Sequence, residues 1–315
     1  MNAVELKAHA KINLTLDVLY RRPDGYHEIR SVMQALELHD LVSVREASAG
    51  LEVACDDPWV PEAEGNLVAR AAAVLREATG CGRGAIIRIE KRIPLAAGLA
   101  GGSSDAAAAL LGLNQVWNLG LDREALLRIA ARVGSDVPFC LLGGTALAEG
   151  RGEIVTPLPP APEIHVVLAK PEVPKSTEAV YSALRASEIR NHPNSEAMAE
   201  ALRGADLFAV GELLGNILEG VMIPRFPLIA AIKVEMLRLG APGALMTGSG
   251  PTIYGLARSQ DHAREIAAGV SARFTGVDPE ARRAGVDPEV HFPGSGPAPA
   301  LQVLVTRTLR APSPA

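Results

Sequence analysis

Aromatic side chains are scarce in this sequence of 315 residues, since phenylalanine, tryptophan and tyrosine together make up 3% of it. The hydrophobic content is nevertheless 48%, so a core must be built mostly from leucine, valine, isoleucine and alanine. Cysteine is also rare: Cys55, Cys81 and Cys140 are odd in number and form no Cys-x-x-Cys pair. This pattern argues against a disulfide framework and predicts reduced thiols. We expect all three to be buried small side chains.

The chain also lacks the features of membrane, secreted, metal-binding and general nucleic-acid-binding proteins. No run approaches the ~20 apolar residues of a membrane span, and residues 1–7 lack the apolar centre of a signal peptide. The seven histidines are scattered, which predicts no metal ion held by the protein itself. A formal net charge of -5 argues against a general binder of nucleic acid. These absences predict a soluble cytoplasmic protein.

The length of the chain predicts about two domains. The segment Thr156–Pro162 is rich in proline, which cannot join a helix interior or an inner strand, and it is the best candidate for a linker. We therefore predict domains at residues 1–157 and 158–315. Strand and helix patterns are mixed without strict alternation, which favours an α+β fold.

The periodicity of the apolar residues predicts the individual elements. Strands are predicted at 8–18, 41–44, 51–53, 84–92, 145–149, 164–169 and 301–306. Helices are predicted at 66–77, 105–117, 123–133, 177–184, 197–202, 206–218, 228–239 and 260–272. Residues 276–300 are rich in proline and glycine and repeat Gly-Val-Asp-Pro-Glu, which predicts a mobile insertion without an assigned function.

The most informative segment is the run of small residues Pro94–Ser104. It follows the strand pattern 84–92 and precedes the alanine-rich helical pattern 105–117. Small side chains let backbone N–H groups approach an anion, and Ser103 and Ser104 stand where hydroxyls cap the start of a helix. The run predicts a phosphate cradle, although its spacing is neither the Walker pattern nor the dinucleotide fingerprint. The alternative is a flexible turn that caps an ordinary helix.

Two further segments carry residues suited to chemistry. Lys11 and Asn13 lie on the first predicted strand, and Asp136 lies in the loop Gly134–Pro138 after a predicted helix. Taken alone, Lys11 is typical of a solvated strand residue, and Asp136 is typical of a turn or cap residue.

Together and in this order, these segments resemble the superfamily of small-molecule kinases that includes galactokinase, homoserine kinase, mevalonate kinase and phosphomevalonate kinase (GHMP kinases). The loop 98–105 resembles its nucleotide motif, and Thr247–Thr252 resembles its third motif. The resemblance is most specific to the members whose substrate is a cytidine diphosphate derivative of methylerythritol. The segments that narrow it in this way are Ala10–Leu14, Arg22–Glu28, Gly98–Asp105 and Gly134–Pro138, and Thr306–Leu309 resembles the C-terminal strand of these members.

The resemblance implies a two-domain α+β GHMP-kinase fold. Its N-terminal ATP-binding α/β domain would be similar to domain 2 of ribosomal protein S5, its C-terminal α/β domain would be ferredoxin-like, and the active site would lie between them. The implied activity is ATP-dependent phosphorylation of the 2-hydroxyl of that substrate, a step of non-mevalonate isoprenoid precursor biosynthesis.

The resemblance also implies roles for individual residues. Asp136 would be the catalytic base, and Lys11 would hold its carboxylate ionised and stabilise charge at the transferring phosphoryl group. Mg²⁺ would be carried with ATP, with one of the two loop serines as a candidate contact to the metal. The ATP phosphates would be cradled by Pro94, Leu95, Ala96, Ala97, Gly98, Leu99, Ala100, Gly101, Gly102, Ser103 and Ser104.

On the substrate side, the resemblance implies that Tyr26 and Tyr181 flank the cytosine and that His27 and Asn13 make polar contacts. Thr177 would touch the substrate from the second domain. The alternative for Tyr181 is a core position on its helix. The implied partner is a small molecule, with no nucleic acid and no membrane, and no oligomeric state is predicted.

Two other functions compete with this interpretation. One is another kinase of the superfamily, such as a homoserine or mevalonate kinase, against which the Tyr26-His27 element argues. The other is a nucleotide-binding module without catalysis, against which the retained Lys11 and Asp136 argue.

The loop departs from the family pattern at Ala96, Ala97 and Ala100, where relatives often have glycine. Their methyl groups are tolerable there if φ stays negative.

Overall fold

The computed structural model describes residues 3–60, 65–174, 176–185, 189–274 and 301–309. In the first half, the strands are β1 (Ala3–Asn13), β2 (Thr15–Arg21), β3 (His27–Ala47), β4 (Leu51–Cys55), β5 (Gly84–Glu90), β6 (Thr145–Gly150) and β7 (Ile154–Pro157). The helices there are α1 (Leu67–Thr79), α2 (Gly101–Val116), α3 (Arg123–Val133) and α4 (Val137–Leu142).

In the second half, the strands are β8 (His165–Pro171), β9 (Gly215–Asn216), β10 (Ala244–Met246), β11 (Ile253–Ala257) and β12 (Leu301–Arg307). The helices are α5 (Thr177–Ser182), α6 (Ser195–Arg203), α7 (Leu207–Glu212), α8 (Glu219–Arg225), α9 (Pro227–Arg238) and α10 (Gln260–Phe274). Strands and helices are mixed without strict alternation, as the sequence predicts.

The first sheet is organised around the long strand β3, which pairs antiparallel with β1, β2, β5 and β6. Helices α1 and α2 pack on this sheet through alanine, leucine and valine side chains, and α3 packs on α1 and α2. The short side chains of α2, from Ala106 to Ala109, are buried and let the helix lie close to the strands. This close packing sets the position of the loop that precedes α2.

The second sheet has the strand order β10-β11-β8-β12, with every pair antiparallel. Helices α9 and α10 contribute Ile232, Met236, Ile266 and Val270 to the core beneath it. A further apolar cluster joins the two halves, because it holds Ile12 and Leu99 from the first half and Leu168 and Tyr254 from the second.

The two halves also share backbone hydrogen bonding. Strand β9 of the second half pairs in parallel with β2, where Thr15 lies opposite Gly215. The predicted boundary between residues 157 and 158 stays a prediction.

Several predicted elements differ from the structure. The strand expected at 8–18 is interrupted at Leu14, whose N–H donates to the carbonyl oxygen of Val32, so it becomes β1 and β2. The helix expected at 206–218 ends at Glu212, because β9 follows, and α8 comes directly after. In this segment, the pairing of β9 with β2 overrides the local helical pattern. Helix α4 was not predicted.

Cys55, Cys81 and Cys140 carry free thiols, as predicted, but they are half-buried instead of buried. Within the described ranges, no helix is long and apolar enough to span a membrane. The predicted insertion 276–300 lies outside the described residues.

Candidate active site

The predicted phosphate loop joins β5 to α2 and forms one wall of a cleft of about 1090 Å³. Helix α2 begins at Gly101, earlier than the predicted start at Asp105, so the last glycines of the loop lie in its first turn. Backbone N–H groups in a first turn have no partner within the helix and favour an anion. Residues 94–103 all line the cleft.

Ser104 does not line this cleft. Its side chain is buried, and its hydroxyl donates to the carbonyl oxygen of His9. Ala100 occupies the N-cap position of α2, and no side chain caps the helix there, so the predicted capping by Ser103 and Ser104 was wrong. Of the two loop serines, Ser103 is the one that lines the cleft.

Two alanines of the loop adopt a backbone conformation that glycine prefers. Ala96 has a φ of 51° and Ala100 a φ of 58°, so the expectation of negative φ was wrong for both. A left-handed conformation costs a residue with a Cβ on the order of 1 kcal/mol. The packing around the loop must therefore dictate its shape.

Gly98 is a point where the loop touches the segment 247–250 of the second half. Its φ is 77°, and a Cβ placed on it would lie 2.5 Å from the carbonyl oxygen of Thr247 and 2.9 Å from that of Gly250. A side chain at this position would have to separate the two segments.

Because the resemblance implies that this loop binds ATP, replacing Gly98 by alanine is expected to raise the KM for ATP by at least about tenfold and to lower the melting temperature. The physical reason is the clash with two backbone carbonyls at a positive φ. Gly220→Ala is the matched control, because an added Cβ meets nothing within 4 Å there. Steady-state kinetics and thermal melts measure both effects. Unchanged values for Gly98→Ala would contradict the geometry of this contact.

The structure brings Lys11 and Asp136 together. Lys11 lies in β1 and is only 3% exposed, so its interpretation as a solvated strand residue is wrong. Its Nζ lies 3.7 Å from Oδ2 of Asp136, and both residues line the cleft. Asp136 immediately precedes α4 but makes no capping hydrogen bond. The carboxylate is therefore not committed to the helix.

Asn13 holds Lys11 in place. Lys11 Nζ donates to Oδ1 of Asn13 at 2.7 Å, and Thr247 Oγ1 donates to the same oxygen at 3.3 Å. Asn13 Nδ2 donates to Ser31 Oγ at 2.8 Å. Both lone pairs of the amide oxygen are thus engaged, and among the described residues the second N–H of the amide has no hydrogen-bond partner. Asn13 lines the cleft, but its first role is to orient the lysine.

The aromatic residues of the predicted substrate site gather at another part of the cleft. Tyr26 and His27 lie where the turn between β2 and β3 ends, and Tyr181 lies on α5. The ring centroids of His27 and Tyr181 are 5.5 Å apart. Tyr26 is 54% exposed, with the guanidinium carbon of Arg151 4.9 Å from its ring centroid. Tyr181 also packs partly on the core of the second half, which agrees with the core interpretation, while its contact with cytosine stays a prediction.

The pKa shifts of His27 and Tyr181 keep both side chains neutral. Burial, assisted by the charge of Arg21, lowers the pKa of His27, so the imidazole is uncharged at neutral pH and can both donate and accept. Burial, assisted by the charge of Asp136, raises the pKa of Tyr181. Uncharged donors and acceptors beside aromatic rings suit a nucleobase.

Thr177 stands at the start of α5 and lines the cleft with Ser249. Their hydroxyl oxygens are 3.0 Å apart. This contact places the start of α5 against the same segment that meets Gly98.

A buried ion cluster behind the phosphate loop was not predicted. Lys91 Nζ donates to Asp105 Oδ2 at 2.8 Å and to Asp40 Oδ2, while Asp40 Oδ1 accepts from the N–H of Ile93 at 2.7 Å. Burial, together with the charge of Asp40, raises the pKa of Asp105 to about 7. Although burial opposes its charge, Asp105 and Asp40 raise the pKa of Lys91. The cluster ties the loop to β3 and α2.

Other residues of the cleft were also missed by the sequence analysis. They belong to no continuous motif, and only the fold brings them to the cleft: Arg21, Leu67, Arg151 and Glu178. The available signal for Arg151 was its place between Gly150 and Gly152, which is typical of a tight turn.

Models of one protein family match both halves of the chain. Residues 66–144 match the model of the GHMP kinases N terminal domain, and residues 198–276 match that of the GHMP kinases C terminal domain. The predicted superfamily is therefore confirmed.

Curated relatives narrow the assignment. The chain is 46% identical over 263 residues to a 4-diphosphocytidyl-2-C-methyl-D-erythritol kinase of Acetivibrio thermocellus, covering 84% of this chain and 93% of the relative. It is 51% identical over 254 residues to the kinase of the same name from Symbiobacterium thermophilum, covering 80% and 90%.

Solved structures agree with the fold. The crystal structure of a 4-(cytidine 5'-diphospho)-2C-methyl-D-erythritol kinase superimposes with a TM-score of 0.73 at 36% identity, covering 97% of this chain and 99% of that one. A homoserine kinase from Cytophaga hutchinsonii gives a TM-score of 0.75 at 21% identity, covering 99% and 96%, which shows a shared fold alone. The chain thus belongs to the GHMP kinases and, within them, to the family of 4-diphosphocytidyl-2-C-methyl-D-erythritol kinases.

Proposed function

We propose that this protein transfers the γ-phosphoryl group of ATP to the 2-hydroxyl of 4-diphosphocytidyl-2-C-methyl-D-erythritol, in non-mevalonate isoprenoid precursor biosynthesis. The observation that carries the proposal is the pair Lys11 and Asp136, 3.7 Å apart in the same cleft as the phosphate loop. The names of the relatives give the substrate.

Asp136 acts as the base. Its carboxylate takes the proton of the 2-hydroxyl as the oxygen bonds to the γ-phosphorus, and the bond from that phosphorus to the bridging oxygen breaks. ADP leaves with the electron pair. General-base assistance of this kind contributes roughly 10²–10⁴ in rate.

Lys11 supplies fixed positive charge beside the reacting oxygens. Asn13 accepts from its ammonium, and Thr247 in turn donates to the same oxygen of Asn13, so no reorganisation is needed as negative charge develops. Because Lys11 is buried, this charge acts in a region of low dielectric, where it is stronger than in water.

The first turn of α2 and the loop before it hold the phosphates of ATP. Mg²⁺ would neutralise phosphate charge and would arrive with the nucleotide. The cleft fits a metal ion brought in this way, because the Asp136 carboxylate is already paired with Lys11 and the hydroxyl-bearing Ser103 of the loop lines the cleft.

Tyr26, His27 and Tyr181 bind the cytidine end. Tyr26 offers an exposed ring for stacking, and neutral His27 offers hydrogen-bonding nitrogens that distinguish cytosine from uracil. Thr177 contacts the substrate from the second half.

Replacing Tyr26 by alanine is expected to raise the KM for the cytidyl substrate roughly 5- to 150-fold, because base stacking on one ring contributes about 1–3 kcal/mol. The KM for ATP should stay nearly unchanged. Tyr26→Phe is the control and should be mild, since it keeps the ring. A rise in the KM for ATP as large as the rise in the KM for the cytidyl substrate would show that Tyr26 does not belong to the cytidine pocket.

The proposed function is tested by coupled ADP release with the cytidyl substrate against CMP, methylerythritol phosphate, homoserine and mevalonate. We expect turnover with the cytidyl substrate alone. Turnover of homoserine or mevalonate instead would indicate another GHMP kinase, and no ADP above background with any acceptor would indicate a nucleotide-binding module.

A further inference from the structure

Arg151 lies on the tight turn between β6 and β7 and lines the cleft. Its guanidinium carbon lies 4.9 Å from the ring centroid of Tyr26, which is the distance of a cation–π contact. Arg151 therefore occupies one face of that ring and leaves the other face to a ligand.

The turn that carries Arg151 is held on both sides. Glu153 accepts from the backbone N–H of Arg151 at 2.6 Å and from its Nε at 3.2 Å. Glu28 accepts from the N–H of Gly150 at 3.0 Å and from Arg22 Nη1 at 2.5 Å, which ties this turn to the hairpin turn before β3. Within the described parts of the chain, Nη1 and Nη2 of Arg151 make no hydrogen bond. The free end of the guanidinium can therefore serve a ligand.

The same turn reaches the catalytic end of the cleft. A Cβ placed on Gly152 would lie 3.7 Å from the carbonyl oxygen of Ser135, the residue before Asp136. The turn thus lies between the Tyr26 ring and the Asp136 carboxylate. The substrate of the proposed function spans these two ends, with cytosine at one, the reacting hydroxyl at the other and a diphosphate between them.

We propose that Arg151 is a specificity-determining residue that binds the diphosphate bridge of the substrate while its guanidinium stays stacked on Tyr26; this inference rests on the proposed function. A planar guanidinium can stack through its face and donate through its edge at once, which an ammonium cannot do. Arg151 thereby couples recognition of the base to recognition of the diphosphate.

The test compares the binding of cytidine, CMP and CDP by calorimetry with saturating ADP present to occupy the phosphate loop. Arg151→Met keeps most of the side chain's length without its charge, and Arg151→Lys keeps the charge without the planar fork. Arg128→Met, an exposed arginine of α3, is the control. We expect Arg151→Met to raise the Kd of CDP at least roughly tenfold and that of cytidine less than about twofold, with CMP between them.

Arg151→Lys should recover part of the CDP affinity. In turnover, Arg151→Met should raise the KM for the cytidyl substrate while kcat and the KM for ATP stay within about twofold of wild type. An equal loss of affinity for cytidine, CMP and CDP would show that Arg151 acts only by holding Tyr26 in place, and this would overturn the proposal. An unchanged Kd for CDP would overturn it as well. Wild-type turnover is measured alongside, so failure of the proposed function is seen separately as absent ADP release.

Discussion

Replacing Asp136 by asparagine is expected to lower kcat by roughly 10²–10⁴ while the KM for ATP stays within about twofold. Asparagine keeps the shape of the side chain and removes its ability to take a proton. Because Asp136 makes no capping hydrogen bond to α4, the substitution should cost little stability. The large effect should therefore appear in the chemical step alone, measured by single-turnover phosphoryl transfer.

Asp122→Asn is the matched control for this variant. Asp122 caps α3 by accepting from the N–H of Ala125, and asparagine caps a helix about as well. Its activity should equal that of wild type. If Asp136→Asn kept more than about half of the wild-type kcat, a role as general base would be excluded.

Replacing Lys11 by methionine is expected to lower kcat on the same scale, by roughly 10²–10⁴. Methionine fills much of the same volume but leaves Asn13 Oδ1 with only the longer hydrogen bond from Thr247 and leaves Asp136 without its partner. The melting temperature must be measured with the kinetics, since the loss of a buried hydrogen bond also destabilises the fold.

Lys7→Met is the matched control for Lys11→Met. Lys7 lies on the same strand β1 and is exposed, so removing its charge should change neither kcat nor stability. A Lys11→Met protein that melts like wild type and keeps its kcat would show that Asp136 works without the ammonium.

The site was predicted best where its residues form continuous motifs. The loop 94–104 was recognised from its small residues, and residues 94–103 do line the cleft. Individual side-chain roles within it were harder to predict. Ser104 turns away to the carbonyl oxygen of His9, and Ala96 and Ala100 adopt positive φ, because packing around the loop overrides local preference.

The sequence by itself predicted the α+β class from its mixed strand and helix patterns and the loop 94–104 from its small residues, because periodicity and turn chemistry act over a few neighbouring positions. The catalytic roles of Lys11 and Asp136 came from the resemblance to the GHMP kinases and stay predictions. Only the tertiary structure decided that Asn13 holds Lys11 with the help of Thr247, that Lys91 pairs with Asp40 and Asp105, and that Arg151 stacks on Tyr26. Apart from Lys11 and Asn13, these partners are far apart in the chain, and a hydrogen bond or ion pair requires its atoms to be within a few ångströms. That proximity arises from the pairing of β3 with its neighbours and from the apolar cluster that joins the two halves.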